Sequence, residues 1–194
     1  VVQFAGGEPT MHPDWFRILT LANEMDFAHV QCATNGIKFA DLDFAMKSKE
    51  AGLHTLYLQF DGLDPKLYKE IRGSEKLLDI KFKAIENVRK AGMKIVYVPT
   101  IVGGINDDQV VPILQFALDN IDVSSGISFQ PVALTGRIDD KEREKLSFTL
   151  SDLALRINET GYTTKADWFP LSCTSPISQL ISAMRGKGRK RRCL

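Results

Sequence analysis

Cysteine is scarce in this 194-residue chain, and its three copies, Cys32, Cys173 and Cys193, lie far apart. An odd number without C-x-x-C or C-x-x-x-C spacing argues against a disulfide framework, and the three alone form no recognisable metal site. Long apolar runs are absent too. None approaches the roughly 18 to 20 residues that cross a bilayer, and the first residues lack the basic and apolar regions of a secretion signal. The expectation is a cytoplasmic protein without a transmembrane segment. Strong charge of either sign is also missing, since the formal net charge is +1. That figure hides an asymmetry: Arg185, Lys187, Arg189, Lys190, Arg191 and Arg192 follow every acidic residue, leaving residues 1–184 with 19 basic against 24 acidic side chains. A mildly acidic body argues against a phosphate-binding surface, so no nucleic-acid partner is expected.

What is present begins at the first residue. Val1–Ala5 runs straight into Gly6-Gly7-Glu8-Pro9-Thr10, which reads as a buried strand whose carboxyl end opens into a tight loop. Glycine lets backbone polar groups approach a ligand, Glu8 places a carboxylate beside them, and Pro9 stiffens the exit. Such a loop suits an amino-acid-like ligand, and it equally suits an ordinary strand-to-helix turn. The chain starts within a strand and without Met, so further residues are expected upstream. Helical spacing over Trp15–Met25 is followed by a strand, Phe27–Ala33, stopped by Thr34-Asn35-Gly36. Next come a helix over 41–51, a strand at Leu53–Phe60 ending in Asp61-Gly62, and a short helix opened by Asp64-Pro65. A helix over 77–91 with apolar residues at 78, 82, 85 and 88 leads into a strand at Met93–Val102, then a helix over 109–120 and a strand at Gly126–Val132.

Strands alternating with helices imply a parallel sheet of βαβ units, which an open doubly wound sheet and a barrel both satisfy. Polar or glycine residues close each of five strands, at Glu8, Asn35, Asp61, Asn106 and Gln130 with Gly136. Ligand chemistry spread over many strand ends is the habit of a barrel's carboxyl face, so an α/β partial barrel over residues 1–135 is predicted. Residues 136–184 form a C-terminal extension completing or capping the barrel, with a charged segment at Asp139–Lys145 and helices near Ser151 and from Ser175 to Met184. The basic end, 185–194, is expected to be disordered.

Taken together, Gly6-Gly7-Glu8-Pro9-Thr10, Thr34-Asn35-Gly36, Asp61-Gly62, Ile105-Asn106-Asp107-Asp108 and Phe129-Gln130-Pro131 with Thr135-Gly136-Arg137 resemble a radical S-adenosylmethionine (SAM) enzyme. The wording of Tyr57–Gly62, Val98–Thr100, Asn106–Gln109 and Phe129–Val132 is most similar to the archaeal tetraether lipid synthases. The resemblance covers Val1 to about Ser178. It implies a radical SAM partial barrel in which Gly6, Gly7 and Glu8 bind the methionine amino group, and Gln59 and Asp61 form the ribose-binding element. It also implies that Asn35 lines the same pocket and that Ile101–Gly104 and Phe129–Val132, Gln130 among them, flank the adenine. Plainer readings stand beside these: a helix cap for Asp61, an interior amide for Gln59, a turn former for Asn35. Arg72 is a clamp for the methionine carboxylate or else a structural or solvated arginine.

The superfamily holds a [4Fe–4S] cluster on a CxxxCxxC loop after its first strand, upstream of the Gly-Gly-Glu motif, and none of the three cysteines here can take those places. The resemblance therefore implies a fragment of a longer radical SAM enzyme, lacking the first strand and cluster loop, inactive by itself, with no metal ligands of its own. For the parent it implies reductive cleavage of SAM to a 5′-deoxyadenosyl radical and hydrogen abstraction from unactivated carbon in lipid-chain coupling. An isoprenoid lipid, an electron donor such as ferredoxin or flavodoxin, and peripheral membrane contact are the partners implied. Phe4, Phe60, Phe129 and Trp168 would line an apolar channel. Alternatives are a peptide-maturing or molybdenum-cofactor cyclase type of radical SAM enzyme, and a non-catalytic SAM- or nucleoside-binding barrel.

Overall fold

The computed structural model describes residues 1–134, 139–170 and 184. Gly136, Cys173, Cys193, the helix from Ser175 and the basic end therefore lie outside the described residues. The chain divides into two compact units, Val1–Leu153 and Ala154–Leu194.

The first unit is a partial (β/α) barrel. Its main sheet holds five parallel strands, β1 (Val2–Phe4), β2 (Val30–Thr34), β3 (Thr55–Gln59), β4 (Lys94–Val98) and β6 (Ser124–Ile127), in that spatial order. The order follows the chain, so every connection crosses in the same sense and the sheet curls rather than doubling back. Between the strands lie helices α1 (Trp15–Glu24), α2 (Leu42–Glu50), α3 (Pro65–Arg72), α4 (Lys76–Lys90) and α5 (Val110–Asp119). Their ends follow the turn chemistry in the sequence. Asp64 caps α3 by accepting from Lys66 N at 2.8 Å, Pro65 opens its first turn, and Gly73 closes it at φ 82°, the left-handed conformation that favours glycine.

Alternation along the strands separates two faces. Val30, Cys32, Leu56, Leu58, Ile95 and Tyr97 are buried against the helices, whereas Gln31, Ala33, Tyr57, Gln59, Val96 and Val98 are only half-buried on the other side. The helix-covered side holds the core, including Leu19, Phe39, Phe60 and Val88, all 0% exposed. Indole Nε1 of Trp15 donates to Ser48 Oγ at 3.1 Å and so ties α1 to α2.

Two expected strands break in the same place. Residues 93–102 divide at Pro99 into β4 and β5 (Thr100–Ile101), because proline has no N–H for the ladder. Residues 126–132 divide into β6, which begins earlier at Ser124, and β7 (Gln130–Pro131), and β5 pairs with β7 in a separate parallel strip. The charged segment at 139–145 is helical, α6 (Asp140–Leu146), capped by Asp139 accepting from Lys141 N at 2.9 Å. On α4 the expected core position Phe82 is 38% exposed, and Lys81 takes a buried place on that face at 3%.

The unit boundary falls within α7 (Leu150–Asn158). In the second unit, Asn158 Oδ1 accepts from Thr163 Oγ1 at 2.7 Å and from Trp168 Nε1 at 2.8 Å. Thr164 and Asp167 form a capping box on the turn over Lys165–Asp167.

Candidate functional site

The loop after β1 is organised by Glu8. Its Oε1 accepts from Thr10 N at 3.2 Å, Thr10 Oγ1 at 2.7 Å and Thr34 Oγ1 at 2.8 Å, while Oε2 accepts from Asn35 N at 2.7 Å. One carboxylate thus binds the first strand-end loop to the second. Oε2 has a single protein donor against three on Oε1, so it is the oxygen with room for a further donor. The bare backbone of Gly6, at φ 137°, and Gly7 stands beside it, and a Cβ on either would meet no atom within 4 Å. Asn35 makes an Asx turn, its Oδ1 accepting from Ile37 N at 2.9 Å, and its carbonyl accepts from the Lys81 ammonium.

The third strand end is held differently. Asp61 is 2% exposed; its Oδ2 accepts from Arg72 Nε and Nη2, both at 3.0 Å, and its Oδ1 from Thr100 N at 3.2 Å. In the amide orientation that the hydrogen-bond network selects, the Gln59 oxygen accepts from Arg72 Nη2 at 2.6 Å and Nη1 at 3.2 Å. The Arg72 fork is therefore occupied by Asp61 and Gln59, which favours its structural reading. The same contacts leave the Gln59 NH2 as a donor. Asn106, fully buried, donates to the carbonyls of Asp61 at 3.0 Å and Thr100 at 2.9 Å and accepts from Val102 N at 2.8 Å. It is a cross-brace between strand ends.

Above these strand ends, on the face away from the helices, is a cavity of about 260 Å³. Its lining includes Gly6, Gly7, Glu8, Asn35, Gln59 and Gln130, six of the eight residues expected at the site; Asp61 and Arg72 are not part of it. Gln3, Thr34, Tyr57 and Thr100 complete much of the lining; the last three stand in stretches that carry the resemblance but had no role assigned from the sequence. Strand alternation could have found Tyr57, which lies two residues before Gln59 and on the same face. The residues expected to line an apolar channel are elsewhere. Phe60 lies in the core among Tyr97, Phe116 and Phe82, and Phe4 meets buried Trp15 edge-on. Phe129 packs against the core, and Trp168 sits in the second unit on Asn158. Phe4, Phe60 and Phe129 are not among the residues lining the cavity.

A glycine–glycine–carboxylate loop over a polar cavity at the carboxyl ends of parallel strands accords with the sequence profile of the Radical SAM superfamily, which matches residues 1–117. The chain belongs to the radical SAM superfamily. Among curated relatives, this radical SAM chain is 46% identical over 186 residues to the 7,8-dihydro-6-hydroxymethylpterin dimethyltransferase of Methanocaldococcus jannaschii, covering 94% of the chain and 37% of that protein. It is 30% identical over 159 residues to a probable GTP 3′,8-cyclase of Sulfolobus acidocaldarius, covering 81% of the chain and 48% of the relative. The chain thus spans less than half the length of either. Neither relative bears the name of a tetraether lipid synthase. Among solved structures, Streptococcus suis SuiB superimposes with a TM-score of 0.62 at 23% identity, covering 86% of this chain and 37% of SuiB. SuiB bound to S-adenosylmethionine gives 0.59 at 20% identity, covering 82% of this chain and 34% of that one. At these identities the likeness is one of fold, and it agrees with the partial barrel.

Radical SAM enzymes use SAM and a [4Fe–4S] cluster. The cavity fits the first, for open glycine backbone and a carboxylate with spare accepting capacity suit a methionine ammonium. The described residues do not fit the second. They include no group of three or more His, Cys, Asp or Glu side chains able to hold a metal. Cys32 lies in the core on the helix side, where burial and then the Glu8 charge push its thiol up to about 12. No helix among the described residues is long and apolar enough to cross a membrane.

Proposed function

We propose that the cavity binds S-adenosylmethionine and that the protein is a radical enzyme acting on an unactivated carbon. The observation that carries this reading is Glu8 Oε2, with one protein donor, set beside the open backbone of Gly6 and Gly7. Glu8 would take the ammonium, and the glycine backbone would hold the methionine portion close without a side chain between. The Gln59 amide NH2, turned inward by the Arg72 contacts, would donate to the ribose, and Gln130 on β7 would bound the adenine end. Asp61 and Arg72 would serve the site by orienting Gln59. When bound and reductively cleaved, SAM supplies a primary carbon radical able to take hydrogen from an unactivated C–H bond. This chain's part is to hold the nucleoside and keep water from that carbon.

Two substrate readings share this step. The 46% relative is named for methylation of a pterin, which supports a ring of that kind. The wording of Tyr57–Gly62 and Phe129–Val132 supports lipid-chain coupling. The cavity lining favours neither, because a space of about 260 Å³ is filled by part of SAM alone. Titration calorimetry tests the binding: SAM should bind the chain, and Glu8→Gln should weaken it at least tenfold. Equal affinity of wild type and Glu8→Gln would refute the assignment. In a protein carrying this domain together with its cluster, reductant and SAM should release 5′-deoxyadenosine. Product analysis with a pterin and with an isoprenoid lipid then separates the two substrates.

A further inference from the structure

A lysine lies on the buried face of α4, in line with Leu78, Ala84, Ile85 and Val88. Lys81 is 3% exposed, and its ammonium donates to the carbonyl of Asn35. Methionine or leucine would fill such a position without the cost of removing a charge from water, so a lysine here calls for a reason. Asn35 supplies one. Its N–H is taken by Glu8 Oε2 at 2.7 Å, its side chain by Ile37 N at 2.9 Å, and its carbonyl by Lys81. Glu8 grips the residue from the cavity side and Lys81 from the helix side. No route from Lys81 to the cavity is needed, since it acts through the backbone of one residue, holding the peptide group that follows Asn35 while Glu8 holds the one before it.

We propose that Lys81 is a positioning residue for SAM: by holding the Asn35 carbonyl it fixes the Asn35 N–H against Glu8, and so sets where the carboxylate meets the ammonium of the ligand. This rests on the reading above that the cavity takes SAM. Three charged groups act on Lys81: Glu8 from the loop after β1, Asp61 from the loop after β3, and Arg72 from the end of α3. Burial, aided by Arg72 and opposed by Asp61 and Glu8, brings its ammonium down to about 8. The clamp therefore carries its proton at neutral pH and loses it in mildly alkaline solution.

The test is calorimetric titration of the full chain with SAM from pH 6.5 to 9.5, for wild type, Lys81→Met and Lys81→Arg. At pH 7 Lys81→Met should bind about tenfold more weakly, and Lys81→Arg should keep near-wild-type affinity. The ratio of wild-type to Lys81→Met affinity should fall towards one as pH passes 8; titration of the ligand's own ammonium cancels in that ratio. A ratio of one at every pH would overturn the proposal. Amide hydrogen exchange keeps the question decidable if wild type takes up no SAM, a result that would sink the reading of the cavity instead. Lys81→Met should then speed exchange at Asn35 at least tenfold while the β4 amides, which report folding, exchange as in wild type. Unchanged exchange at Asn35 would overturn the positioning role independently.

Discussion

Asn35 is gripped on both peptide groups by buried or half-buried ionisable side chains, an expensive way to fix one turn residue. Burying the Lys81 ammonium leaves it charged in the unfolded chain up to its ordinary value of 10.5 and in the folded chain only up to about 8. Below pH 8 both states carry the proton and folding bears the full penalty; between 8 and 10.5 the unfolded chain binds more protons, so stability rises with pH. Cys32 acts in the opposite sense, because its thiol stays protonated in the fold well above the unfolded value of 9.0, and that contribution is lost as pH rises past 9. Comparison with Lys81→Met isolates the first effect. Urea denaturation should show wild type gaining about 1 kcal/mol on this variant between pH 7.5 and 9. Cys32 should meanwhile resist alkylation in the native protein and react once urea unfolds it, as peptide mass mapping would show. Glu8, Gly6 and Gly7 were legible in the sequence because their chemistry is local. Lys81 was harder to see, since a lysine next to a plausible core Phe reads as solvated until packing puts Phe82 at the surface.

At the level of single elements, caps and turns were the most legible features. Asp64-Pro65 and Gly73 bound α3 as their backbone preferences require. Replacing Asp64 by Ala should cost about 1 kcal/mol. Gly36 is a stricter case. Its φ is 79°, and a Cβ there would lie 2.4 Å from Leu58 Cδ1, in the packed interface between β3 and the helices. Gly36→Ala should therefore cost about 2–4 kcal/mol, read as a fall in the denaturation midpoint, through backbone strain and overpacking together. What the sequence concealed was the split of two strands at one level. Pro99 announced a break, but nothing local tells that Thr100-Ile101 leaves the main sheet to pair with Gln130-Pro131, since that pairing joins residues thirty apart.

For the molecule as a whole, alternation of strands and helices was enough to predict the partial barrel, and the polar strand ends Glu8, Asn35 and Gln130 lie on the side that carries the cavity. The side chains completing the cavity were not, because Gln3, Tyr57 and Thr100 gain their role only when separate strands come into register. If SAM binds the native form alone, then at one hundred times its Kd the fold should gain about 2.7 kcal/mol. For a chain of this size that is a rise in Tm of roughly 5–10 °C, readable in a thermal melt and absent in Glu8→Gln. The strip of β5 and β7 shapes how such a ligand would be felt. Thr100 and Gln130 are direct partners in its register, both line the cavity, and Asp61 Oδ1 accepts from the amide of Thr100. A ligand touching both wall residues would therefore bridge two chain segments thirty residues apart and, through Thr100, reach the Asp61–Arg72 pair.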